Sequence, residues 1–133
     1  MELKVSSRAL VQAAEAEIET LELSAARQLL DDPDTQFVDL RDIRELQREG
    51  RIPGAFHAPR GMLEFWVDPE SPYYKDVFGS GRKLVFYCQS GWRSALSTRA
   101  VQEMGLPDVC HIKGGFRAWQ EAGAPVEALP ERQ

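Results

Sequence analysis

Residues 83–94 read KLVFYCQSGWRS, and the fold can be worked outward from them. Lys83 to Cys88 is a near-continuous apolar run. In a mixed chain such a run predicts a strand buried on both faces, the environment of a parallel sheet. From Ser94 to Met104, SALSTRAVQEM places Leu96, Ala100, Val101 and Met104 along one stripe, which predicts a helix. Between the two lie Gln89, Ser90, Gly91, Trp92 and Arg93. The stretch is therefore a buried strand, a short loop and a helix start.

The same alternation continues on either side. Downstream, residues 109–112 (VCHI) predict a short strand, and Phe116 to Ala122 predicts a last helix closed by Gly123 and Pro125. Upstream, residues 36–40 (QFVDL) predict a strand. Residues 42–49 predict a helix with Ile43 and Leu46 on one face and Gly50 past its end. Pro53-Gly54 signals a turn before a brief strand at Phe56-His57-Ala58. Residues 61–67 read as helical, and 68–83 form the longest irregular stretch. Nearer the N-terminus, residues 6–16 predict a helix with a stripe of Leu10, Val11 and Ala14. A short strand follows at 17–22, then a helix capped by Ser24 and stopped by Pro33. Strands alternating with helices predict an α/β fold: a parallel sheet with helices on both faces. The expected division is an N-terminal helical extension, 1–16, and one domain, 17–133. The extension either packs on its own domain, covers a sheet edge or makes a dimer contact.

Composition narrows the function. The chain has 133 residues, enough for one ordinary domain. Sixteen Lys and Arg against 21 Asp and Glu give a net charge of −5, which argues against a chain-wide nucleic-acid footprint. Cys88 and Cys110 are the two cysteines, so a disulfide scaffold and a four-cysteine zinc site are excluded. With only His57 and His111 besides, no metal and no cofactor is expected. The apolar runs are too short for a membrane-spanning helix, and the N-terminus lacks the apolar stretch of a signal peptide. A cytoplasmic setting with free thiols is expected.

In open parallel sheets ligands bind beyond the carboxyl ends of the strands. Asp39, Leu40 and Arg41 fall there, as do Cys88 and Lys113-Gly114-Gly115. The Cys88 loop turns backbone amides inward, and the following helix adds its positive dipole end. Gly91 permits the positive φ such a cradle needs, and Arg93 brings a fixed charge. Each term favours an anion at the Cys88 sulfur, hence a thiolate nucleophile that needs no histidine base. Gln89 to Ser94 are the expected donor-binding residues. Asp39 and Arg41 are expected to pair with loop backbone or with each other and hold the cradle. Arg60 reads as a surface arginine and Cys110 as core. His57, His111 and Trp119 read as structural. Trp92 is either a lid or packing for Tyr73-Tyr74.

Over most of its length the chain resembles the rhodanese-like domains, a family of sulfurtransferases. The resemblance rests on Asp39-Leu40-Arg41-Asp42, Gly50-Arg51-Ile52-Pro53-Gly54-Ala55, the loop from Cys88 to Arg93, and Gly114-Gly115-Phe116-Arg117-Ala118-Trp119. They occur in order over about residues 17–126. Asp42 stands where Glu is more frequent. The resemblance implies a three-layer α/β/α fold whose five-stranded parallel sheet has the order 3-2-4-5-1. It implies that Cys88 takes up a sulfane sulfur from a small anion such as thiosulfate, and that cyanide, a thiol or a protein acceptor removes it. The competing expectations are two. One is a phosphatase or arsenate reductase; the related phosphatases have a loop longer by one residue, and this loop contains no carboxylate to serve as an acid. The other is a module that carries sulfur to a docked partner. No nucleic-acid or membrane partner is expected.

Overall fold

The computed structural model describes residues 1–130. The last three residues of the expected 17–133 domain lie outside them. Five strands form one sheet: β1 (Glu19–Leu21), β2 (Thr35–Asp39), β3 (Phe56–His57), β4 (Lys83–Tyr87) and β5 (Val109–Ile112). Their order is β1-β5-β4-β2-β3, and every pairing is parallel. Taken from the opposite edge, this is the 3-2-4-5-1 order that the resemblance implied. Six α-helices accompany the strands among the described residues, α2 to α5 connecting them and α1 and α6 standing before the first and after the last: α1 (Ser7–Glu15), α2 (Leu23–Gln28), α3 (Ile43–Glu49), α4 (Leu63–Val67), α5 (Trp92–Glu103) and α6 (Gly115–Glu121).

Successive side chains of a strand point to opposite faces, so the sheet divides its apolar residues between two cores. Phe37, Val85, Tyr87, Cys110 and Ile112 meet Ala26 of α2 and Phe116 and Trp119 of α6. Val38, Leu40, Leu84, Phe86 and Val109 meet Leu63 and Val67 of α4 and Val101 of α5. Leu84 to Tyr87 are all buried, as the apolar run required. Each fully buried Leu or Phe contributes about 1.5–3 kcal/mol. The central strands are therefore the most strongly held part of the molecule. The registers Asp39↔Tyr87 and Phe86↔His111 bring the carboxyl ends of β2, β4 and β5 to one edge.

Several local expectations change. Ser24 does not cap α2; the helix begins at Leu23 with Glu22 in the cap position and ends at Gln28, well before Pro33. The 61–67 helix divides into a 3-10 turn, Arg60–Met62, and the short α4. Ile43 and Leu10 are exposed, although both belonged to expected apolar stripes. The largest difference is in α5, which starts at Trp92 rather than Ser94. Its buried face is Ser94, Ala95, Ser97, Thr98 and Val101, while Met104 is exposed. The helix lies between the sheet and α1, whose Val11 and Ala14 pack on Ala95. Close approach on two sides selects small side chains, including hydroxyls. The Ser97 and Thr98 hydroxyls donate to the Arg93 and Ser94 carbonyls, so their burial leaves nothing unpaired. Polarity periodicity does not register a buried hydroxyl. Through the same contacts α1 packs on its own domain.

Candidate active site

Cys88 is the first residue past β4, and its side chain is 1% exposed. It shares the parity of Leu84 and Phe86, so its side chain turns toward α5. Gly91 stands at the cap of α5 with φ of 116°, a conformation that L side chains rarely adopt. That turn bends the chain back over the sulfur. The Gly91 amide donates to Cys88 Sγ at 3.1 Å and the Ser94 amide at 3.4 Å, with Ser94 Oγ at 3.6 Å. The amides of Ser90, Trp92 and Arg93 have no acceptor among the described residues.

The loop is held from behind by α6. Phe116 N–H donates to the Cys88 carbonyl at 2.8 Å and Arg117 N–H to the Gln89 carbonyl at 3.0 Å. In a trans peptide the carbonyl and the next N–H point opposite ways, so the amides of Gln89 and Ser90 face away from α6. Gly115 makes this approach possible. It has φ of +61°, and a Cβ there would lie 2.8 Å from the Gln89 carbonyl oxygen. The Gly-Gly pair thus shapes the cysteine loop, although it begins 26 positions after Cys88.

Asp39 and Arg41 are both fully buried and pair with each other, Nη2 to Oδ2 at 2.7 Å. Arg41 also donates to the Gly50 carbonyl at 2.7 Å and to Gln89 Oε1 at 3.2 Å, and its guanidinium lies 4.1 Å from the Phe116 ring centroid. Burial works against its charge, but Asp39's hydrogen bonds and charge outweigh this and raise the Arg41 pKa. The pair joins β2, the end of α3 and the cysteine loop. Gln89 points its amide to Arg41 and to Glu49 at 3.2 Å, so its side chain serves the scaffold.

Arg93 is held rather than free. Glu45 of α3 takes both of its terminal nitrogens, at 2.7 and 3.0 Å. That hydrogen bonding holds the Glu45 carboxyl below its ordinary range against the effect of burial. It also raises the Arg93 pKa, to which the nearby Cys88 sulfur adds a smaller share. Glu45 also completes a capping box with Asp42, so one carboxylate starts α3 and clamps α5. Trp92 is 45% exposed and forms no ring pair with Tyr73 or Tyr74. Arg60 pairs with Glu64 one turn along, and His57 Nε2 meets the Arg41 carbonyl oxygen at 2.7 Å. No cluster able to hold a metal ion occurs among the described residues.

Three elements escaped the sequence reading. Glu45 was visible as the fourth residue of Asp42-x-x-Glu45, a capping-box spacing. The clamp by α6 was signalled by two adjacent glycines before a helix. The third had no local signal: His111 Nδ1 lies 2.9 Å from Ser94 Oγ, which itself touches the Cys88 sulfur. Burial pushes the His111 pKa down to about 4.

A family model described as rhodanese-like domain matches residues 22–122. A sulfurtransferase of Allochromatium vinosum is 32% identical over 105 residues, covering 79% of this chain and 90% of its own. The human thiosulfate:glutathione sulfurtransferase is 29% identical over 108 residues, covering 77% of this chain and 93% of its own. Among solved structures, a protein of unknown function from Rhodopseudomonas palustris, described as a possible tyrosine phosphatase, superposes with a TM-score of 0.92 at 47% identity. That match covers 96% of this chain and 98% of the other. The family model spans most of the chain, from β1's far side through α6, and a sulfurtransferase relative exceeds 30% identity over nearly its own full length. On these grounds the chain belongs to the rhodanese-like domain family.

Proposed function

We propose that this protein moves a sulfane sulfur from an anionic donor such as thiosulfate to a thiol or cyanide through a persulfide on Cys88. The observation that carries the reading is the pair of backbone amides, Gly91 and Ser94, directed at a cysteine sulfur at the carboxyl edge of the sheet. Such donors stabilise negative charge where it sits, on the attacking sulfur and on the persulfide that replaces it.

In the first step the Cys88 thiolate attacks the outer sulfur of the donor. The donor's S–S bond breaks and sulfite leaves with the electron pair. In the second step an acceptor attacks the outer sulfur of the persulfide, and the Cys88 thiolate departs. Two half-reactions on one nucleophile give ping-pong kinetics. The amides of Ser90, Trp92 and Arg93 are available to the donor's oxygens, and Arg93 adds charge at the rim. Asp39, Arg41 and Gln89 keep the loop in shape. Turnover needs a reduced Cys88, which suits a cytoplasmic setting. A small thiol is the acceptor that the human relative's name suggests, and a protein thiol would react in the same way.

The description of the Rhodopseudomonas neighbour favours a second reading, phosphate-ester hydrolysis. Two features speak against it. Only four residues separate Cys88 from Arg93, a tight ring for a tetrahedral phosphate. The nearest carboxylate on Arg93, Glu45, is engaged on both oxygens. Intact-protein mass measurement after thiosulfate decides between them. The expected outcome is one added sulfur atom, removed by cyanide or a thiol and missing in Cys88→Ser. Cys88-dependent cleavage of an aryl phosphate with no response to thiosulfate would replace this reading with the second.

A further inference from the structure

The Ser94 hydroxyl has three neighbours and one proton. Cys88 Sγ is at 3.6 Å, the Gly91 carbonyl oxygen at 3.3 Å and His111 Nδ1 at 2.9 Å. The other ring nitrogen of His111, Nε2, lies 3.1 Å from Thr20 Oγ1 on the paired strand β1. All of these side chains point to the α5 face of the sheet. Ser94 is fully buried and His111 is 2% exposed, so neither has water as an alternative partner. What the hydroxyl offers the sulfur therefore depends on the imidazole.

Two arrangements satisfy every group. With the ring proton on Nε2, His111 donates to Thr20 and its Nδ1 accepts the Ser94 proton. The sulfur then meets only the lone pairs of Ser94, which suits a thiol whose S–H donates to them. With the ring proton on Nδ1, His111 donates to Ser94 Oγ, Thr20 donates to Nε2, and the Ser94 proton is released toward the sulfur. That arrangement suits a thiolate or persulfide anion.

We propose that His111 is a positioning residue for Cys88: its tautomer follows the ionisation of the sulfur and, through Ser94, stabilises the anionic form. Cys88 gives up one proton to solvent. His111 carries one proton in both states, on Nε2 beside the thiol and on Nδ1 beside the thiolate, so the imidazole stays neutral. Its burial, which keeps the imidazolium rare above about pH 4, is what permits a neutral tautomer switch. Coupling of this kind is reciprocal: whatever the Nδ1–H tautomer contributes to the thiolate, the thiolate contributes to that tautomer. The inference rests on Cys88 being the reactive sulfur of the function proposed above.

The charged groups around the sulfur are Arg93 of α5, with Glu45 of α3 on it, and the Asp39–Arg41 pair with Glu49 behind Gln89. All remain in the variants that test the relay. The measurement is the rate of Cys88 alkylation by iodoacetamide against pH, read by peptide mass so that Cys110 is scored separately. His111→Leu and Ser94→Ala should move the midpoint to higher pH and leave the high-pH plateau unchanged. A lost hydrogen bond to a charged group makes the rate near neutrality about tenfold slower. His111→Asn, whose amide can still donate to Ser94, should restore most of the rate. In the wild-type protein, nitrogen chemical shifts of His111 should report the Nδ1–H tautomer above the midpoint and the Nε2–H tautomer below it. A folded His111→Leu protein with the wild-type profile, or one tautomer on both sides of the midpoint, would overturn the relay. Alkylation needs no sulfur donor, so the two readings fail separately. A shifted profile without sulfur transfer keeps the relay and loses the transfer, and transfer with an unshifted profile does the reverse.

Discussion

Cys88 follows β4 and Cys110 lies in the neighbouring β5, and both are shut off from solvent, at 1% and 0% exposure. Their surroundings differ in kind. Cys88 ends its strand, where the loop brings two amides and a hydroxyl to its sulfur. Cys110 lies inside β5, in the core with Phe37, Ile112 and Trp119, and its thiol donates only to the Leu84 carbonyl at 3.8 Å. Burial pushes the Cys110 thiol up to about 12, so it stays protonated. Burial alone therefore does not decide how a cysteine behaves. What decides is whether the groups that replace water carry dipoles aimed at the sulfur. Around Cys88 the fold supplies them; around Cys110 it supplies aromatic and aliphatic carbon.

That contrast can be strained first through pH. His111 belongs to the polar surroundings of Cys88 and is held neutral, with a native pKa near 4 against an ordinary value of 6.5. Below pH 6.5 the unfolded chain binds a proton that the native protein refuses. Stability is therefore complete above that value and falls as the pH drops through 4. The loss due to this residue is up to about 3 kcal/mol. Urea unfolding at a series of pH values should show it, and His111→Asn should remove most of the slope in that window. A wild-type protein with flat stability across the window would mean that the imidazole is charged or reached by water.

The next largest effect separates charge at the rim from dipoles in the loop. Arg93→Ala removes the guanidinium that Glu45 holds beside the sulfur. A charge-assisted hydrogen bond is worth about 1.5–3 kcal/mol, so kcat/KM for the sulfur donor should fall about 10- to 100-fold. The acceptor half-reaction should change less. An unchanged donor step would assign the anion to the backbone amides alone.

The smallest effect is expected on the apolar side. Cys110→Ala removes one buried sulfur and leaves a small void, with a stability loss of about 1 kcal/mol by thermal or urea unfolding. Sulfur transfer per folded molecule should be unchanged. A folded Cys110→Ala protein without turnover would erase the distinction and make Cys110 a second working thiol.

Much of this molecule is written in local stretches. The run KLVFYC is buried because five successive apolar residues cannot be placed at a surface without exposing most of them. Gly91 announces a positive φ, and the cysteine, glycine and arginine that follow the strand mark a candidate anion site at its carboxyl end. The buried face of α5 was not legible, because Ser97 and Thr98 hide their hydroxyls on their own helix, an arrangement that depends on α1 and the sheet closing on both sides. Nor was it legible that Glu45 would hold Arg93, or that His111 would stand behind Ser94. These pairs join residues 48 and 17 positions apart, and neither member carries a mark of the other. By itself the sequence determined where strands and helices alternate and that the sheet is parallel, and it singled out Cys88 as the candidate nucleophile, since each follows from side-chain size, polarity and backbone freedom within a few residues. Only the tertiary structure decided which groups surround that cysteine. Hydrogen-bond partners are chosen by where strand register and helix packing bring distant atoms within about 3 Å, a distance no local pattern encodes.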